Sequence, residues 1–197
     1  MIRVRKNNKI NRNFSRQILN KSSSFFIPFA SGKAPSLYFN NSNRSTISLI
    51  GFGNCSEDYT KLITIKSQKY IETLKNQFYF TIPTNCKLKR IVANFSAHQV
   101  DIDDNMKLFP CIYVAKSTNI NLPFKLIEKT KTCNLNKAFT KSKSCLKSKE
   151  TIAISQNLNI HLSIGTRIAI CMLININDMP SHKTKAKFFC NGSLLFE

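Results

Sequence analysis

The sequence predicts an all-β fold, an antiparallel β-sandwich or jelly roll of about ten strands. Three observations predict it. Apolar residues recur with a period of two and not 3.6. The apolar runs are rich in Ile, Phe, Tyr, Val and Thr, which fit a half-buried pleated surface. Clusters of Gly, Pro, Asn, Asp and Ser separate the runs.

Residues 1–24, from Met1 to Ser24, hold seven Lys or Arg and no acid, show no clean period and end in Ser22-Ser23-Ser24. They read as a flexible basic arm, and residues 25–197 as a single β-sandwich domain. Within it, residues 89–97 place Ile91, Ala93, Phe95 and Ala97 on one strand face. Residues 151–162 do the same with Ile152, Ile154, Leu158, Ile160 and Leu162. Residues 166–176 set Ile168, Ile170, Met172, Ile174 and Ile176 opposite Arg167 and Asn175. Shorter strands are expected at 25–29, 45–52, 62–66, 77–82, 108–116, 124–128 and 186–196. Turn signals fall at Ser31-Gly32, Gly51-Phe52-Gly53-Asn54, Pro83-Thr84-Asn85, Asp103-Asp104-Asn105, Ile164-Gly165-Thr166 and Asn191-Gly192. Residues 137–150 are polar and Lys-rich and read as a long exposed loop. Residues 58–74 are ambiguous, with room for a short helix in their latter half.

The formal net charge is +20. Removing the seven basic residues of the arm leaves 23 basic against 10 acidic, or +13, spread over the remaining chain. Charge of this size fits contact with an anionic polymer, yet the abundance of Lys, Asn and Ile is also what biased coding in an AT-rich genome produces. The arm could hold a polyanion weakly, by charge alone. No apolar run approaches the length of a membrane span, so membrane insertion is not expected. The basic start is not followed by an apolar stretch, so no conventional secretion signal is expected. Asn-x-Ser sequons, among them those at Asn13, Asn20, Asn43, Asn54, Asn94 and Asn191, are what chance gives in so Asn- and Ser-rich a chain.

Chemistry is sparse. Seven cysteines stand without a C-x-x-C pair or a His at ligand spacing, which argues against zinc. Cys111, Cys171 and Cys190 read as small buried hydrophobes in strands. Cys133 and Cys145, in Lys-rich polar surroundings, are the candidates for cross-linking. Ser96 and His98 share a strand face near Asp101, but alternate residues of one strand do not reach triad geometry. Asp101, Asp103 and Asn105 imitate the start of a calcium loop, which fails at Met106 and Ile112. Gly51-Phe52-Gly53 lacks either nucleotide fingerprint and reads as a tight turn or a close backbone approach. No catalytic, cofactor or metal site is expected.

Several motifs occur in a telling order. Ile27-Pro28-Phe29-Ala30-Ser31-Gly32 is followed by Leu49-Ile50-Gly51-Phe52-Gly53, then by Phe78-Tyr79-Phe80-Thr81-Ile82-Pro83 and Leu88 to Ser96. Leu158-Asn159-Ile160, Ile164-Gly165-Thr166-Arg167-Ile168 and a closing run from Phe188 to Phe196 complete the series. In order and spacing it resembles the C-terminal domain of bacterial collagen-like exosporium glycoproteins of the spore surface. The resemblance implies a jelly roll of complement C1q and tumour-necrosis-factor type that assembles as a homotrimer. It also implies display on the spore surface beside other coat or exosporium proteins, after synthesis in the mother-cell cytoplasm. It brings no cofactor and no active site. The chain departs from that family in its Lys and Cys content and in carrying a basic arm where a collagen stalk is expected. A receptor-binding module of the same fold, with residues 137–150 meeting an anionic glycan, is the alternative. A nucleic-acid-binding role for the arm ranks third and a hydrolase last.

Overall fold

The computed structural model describes residues 24–39, 46–56, 62–65, 68–71, 78–119, 122–140, 151–178 and 185–197. Most of the arm, most of the Lys-rich segment 137–150, Cys145 and His182 lie outside them. The described residues form thirteen strands in two antiparallel sheets and one 3-10 turn.

Sheet I runs β1 (Phe25–Ala30), β13 (Lys185–Phe196), β7 (Cys86–Asp101), β11 (Thr151–Leu162), with β2 (Ser36–Tyr38) on the other end of β13. Sheet II runs β3 (Ser48–Ile50), β12 (Arg167–Ile176), β8 (Leu108–Ser117), β9 (Phe124–Leu126), β5 (Gln68–Ile71), β4 (Leu62–Ile65). The edge of β12 is continued by β6 (Tyr79–Thr81), and that of β8 by β10 (Thr132–Cys133). Counting β3 with β6, and β9 with β10, as interrupted strands leaves the double Greek key of a jelly roll. Its first strand pairs with the last, and the chain crosses between sheets from β6 to β7 to β8 and again from β10 through β11 and β12 to β13. The fold class read from the sequence is the one found.

Alternation decides what faces the core. Ile91, Ala93 and Phe95 of β7 meet Ile168, Ile170, Met172 and Ile174 of β12 between the sheets, with Ile152, Ile154, Phe188 and Phe196. Burying such residues contributes about 1.5–3 kcal/mol each. A second apolar cluster lies on the other face of sheet II, built from Leu49, Cys111, Tyr113, Ala115, Cys171 and Leu173 with Ile47, Ile71 and Phe78. Strands β8 and β12 are therefore buried on both faces, which is why residues 168–174 read as a continuous apolar run.

Four readings need correction. The latter half of residues 58–74 holds a strand, β5, paired with β4 and β9, where a short helix had room. Asn191-Gly192 is not a turn but the middle of β13. Gly192 stands there because a Cβ would overlap the Val92 carbonyl and come 2.6 Å from the Phe29 ring. The Lys-rich segment 137–150 is not wholly exposed, since Phe139 is fully buried beside Phe188, ring centroids 5.1 Å apart, and bridges Leu108. Finally, β2 and β10 were not expected at all.

Gly51-Phe52-Gly53 is the close approach its glycines suggest. Ala30 N–H donates to Gly51 O at 2.9 Å and Gly53 N–H to Ala30 O at 3.0 Å. The Ile-Pro-Phe-Ala-Ser-Gly and Ile-Gly-Phe-Gly motifs thus dock on each other. Ser31, 1% exposed, locks the junction, its Oγ accepting from Cys190 N–H at 3.1 Å. Among the described residues no helix is long and apolar enough to cross a membrane.

Candidate assembly face

Four adjacent cross-strand rows occupy the middle of the outward face of sheet I, flanked by rows that carry Lys187 and Lys185 at one end and Lys87 at the other. Phe26, Leu195, Arg90 and Asn157 form the first, and Pro28, Ser193, Val92 and Ser155 the second. Ala30, Asn191, Asn94 and Ala153 form the third, and Phe189, Ser96 and Thr151 the fourth. Inward neighbours such as Phe29, Ala93 and Ile154 fill the core, so the pleat commits these rows to the outside. Their only Lys, Arg, Asp or Glu is Arg90, whose Nε donates to Ser155 Oγ at 3.0 Å and so lies along the sheet. In a chain where 20% of residues are charged, the side chains of these four rows are short, polar and nearly uncharged. Phe26 is 64% exposed among them and Phe189 37%. His98 packs edge-on against Phe189 at 5.4 Å.

Elsewhere the chemistry stays unassembled. Ser96 sits within the fourth row and His98 beside it, so both belong to the face; the Asp101 side chain lies outside the description. Cys86 and His161 lie near each other at one end of the sandwich, but Cys86 faces the core and His161 the solvent. Asp103 closes an ordinary turn, Met106 N–H donating to its carbonyl at 3.1 Å. No group of three metal-ligating side chains forms among the described residues.

The cysteines are arranged differently from expectation. Cys133 is bonded to Cys111 directly across the β8–β10 pair, with Cα atoms 4.5 Å apart, so Cys133 is engaged within its own chain and not held ready for another. Asn175 Nδ2 lies 3.3 Å from Cys111 Sγ. Sequence spacing could not show this, because the pairing depends on β10, a two-residue strand. Cys145, the other cross-linking candidate, is outside the described residues. The bond closes a segment of sequence separation 22, and loop-closure entropy assigns it about 3 kcal/mol. Reduction should therefore lower the melting temperature by roughly 10 °C, measured by calorimetry with and without reductant.

Cys171 and Cys190 are buried, as expected for small apolar fillers, and burial drives both thiols far above their ordinary pKa. The unfolded chain then releases these protons first as pH rises. Stability from the two thiols is intact below pH 9 and declines above it, by up to about 1.4 kcal/mol per pH unit for each. The double variant Cys171→Ala/Cys190→Ala should show a flatter decline in urea melts between pH 9 and 10.5.

Arg167, from the Gly-Thr-Arg motif, is a positioning residue for one corner of sheet II. Its guanidinium lies 5.1 Å from the Tyr79 ring centroid and 5.0 Å from that of Phe124. It also donates to Ser117 Oγ and the Asn119 carbonyl. The periodicity marks Arg167 only as outward-facing; these contacts come from tertiary structure.

The extra apolar strand faces fit a chain that buries one sheet against neighbours. The second apolar cluster, however, is covered within this chain, so that surplus does not call for a partner. Comparison with protein-family models and with curated protein sequences finds no match.

Proposed function

We propose that this chain is a structural spore-surface (exosporium) protein whose jelly-roll domain assembles as a homotrimer through the outer face of sheet I. The observation that carries the reading is the near absence of charge across the four rows of that face in a chain of net charge +20. Three-fold assembly sets one patch against a different patch of the next copy, and repeats every unfavourable contact three times. A lysine on such a face would be buried without a partner at each of those contacts. Small polar side chains with a few aromatic anchors suit an interface core, from which charge is depleted. The order of the sequence motifs and the jelly-roll topology support the same family of assemblies. The trimer needs no cofactor or active site, and its role is robustness and display beside other coat or exosporium proteins. Any cross-link to them would fall to Cys145 rather than Cys133.

Immunolabelling of intact spores of the organism that encodes the chain tests the location. The proposal expects a continuous surface signal that is removed with the outermost layer. Signal confined to vegetative cells, or to the spore interior, would contradict it.

A further inference from the structure

Sheet II extends past its partner sheet through β9 and β5, and a cleft of about 390 Å³ opens there. On its floor Lys116 of β8 stands directly opposite Lys125 of β9, and Lys125 directly opposite Tyr70 of β5. Directly opposed residues place their Cβ atoms about 5 Å apart, and like charges so placed repel. Neither lysine has an ion-pair partner among the described residues. Glu128 is committed to Lys69 at 3.3 Å, and no acid lines the described part of the cleft. Two half-buried lysines are thus held side by side, with no acid among the described residues of the cleft to neutralise them.

The surroundings narrow what would do so. Thr118 offers a hydroxyl, while Leu122 and Pro123 make an apolar wall opposite Tyr70. The wall is fixed, because Ser117 Oγ donates to the carbonyls of Asn119 and Leu122 at 2.8 and 3.0 Å, and Arg167 grips the same loop. A tyrosine and an apolar wall suit the faces of a sugar ring, and paired ammonium groups suit a carboxylate on it. We infer that this cleft binds an acidic sugar, its carboxylate between Lys116 and Lys125 and its ring against Tyr70. The site lies on sheet II, apart from the assembly face, so it stands or falls independently of trimer formation.

Saturation-transfer NMR on the full chain with a hyaluronan tetrasaccharide tests the inference, with the carboxyl-reduced tetrasaccharide and inorganic phosphate as comparison probes. The acidic tetrasaccharide should receive saturation at its uronic acid ring protons, and the reduced form should bind at least about tenfold more weakly. Lys116→Gln/Lys125→Gln should lose binding by a similar factor while keeping the parent mass and melting temperature, since it relieves a repulsion. Lys129→Gln/Lys187→Gln, an equal change of charge elsewhere, should bind as the parent does. Absence of binding, an equal loss in both double variants, or equal binding of the reduced sugar would overturn the inference. So would phosphate binding without any saturation of the sugar rings.

Discussion

Asn94→Arg should convert the assembled protein to single chains without unfolding it. Asn94 is exposed in the third row of sheet I, opposite Asn191 on one side and Ala153 on the other. In an isolated domain an arginine there would extend into water, at a stability change within about 0.5 kcal/mol. In the proposed trimer it would be buried against small side chains, with no carboxylate in any of the four rows to receive it. An unpaired charge buried in this way costs about 3–5 kcal/mol, incurred at each of the repeated contacts. That total exceeds what most assemblies of this kind can absorb. Light scattering should read the single-chain mass of 22.5 kDa, with circular dichroism unchanged. The matched change Asn136→Arg, in an exposed turn, should leave the assembly intact.

Gly32→Ala should be far more damaging than Gly53→Ala, although both glycines have positive φ, +67° and +77°. A Cβ on Gly53 meets nothing within 4 Å, so only the left-handed backbone is penalised, at about 1–2 kcal/mol. A Cβ on Gly32 would overlap the Gly53 carbonyl oxygen, at the junction that joins β1 to the β3 end of sheet II. Overpacking there adds about 1–3 kcal/mol. The expected loss for Gly32→Ala is about 3–4 kcal/mol, or roughly 10 °C in melting temperature for a chain of this size. Equal melting temperatures for the two variants would show that the motif junction carries no special constraint.

The long strands were legible because their apolar residues alternate over enough positions to exclude a helix. Ile91, Ala93 and Phe95, and the series from Ile168 to Ile176, face the core as their spacing requires. The strands β2, β5 and β10 were not legible, since two to four residues carry no period and exist as strands only through their partners. The same applies to the Cys111–Cys133 bond, which a two-residue strand creates. Phe139 was hidden among lysines, though a lone aromatic in a polar segment is the kind of residue that anchors a loop. The candidate face was hardest to see. Its members come from four strands far apart in sequence, and what marks it is the charge it lacks, which becomes visible only when the register of sheet I aligns the rows.

The most direct test of the central claim is the molar mass of the full chain in solution, by light scattering with and without reductant. The account predicts three times the chain mass of 22.5 kDa in both conditions, because the cystine between Cys111 and Cys133 lies within one chain and the assembly rests on the face of sheet I. A mass of 22.5 kDa across the micromolar range would contradict it, and would leave a solitary jelly roll whose uncharged face has some other use.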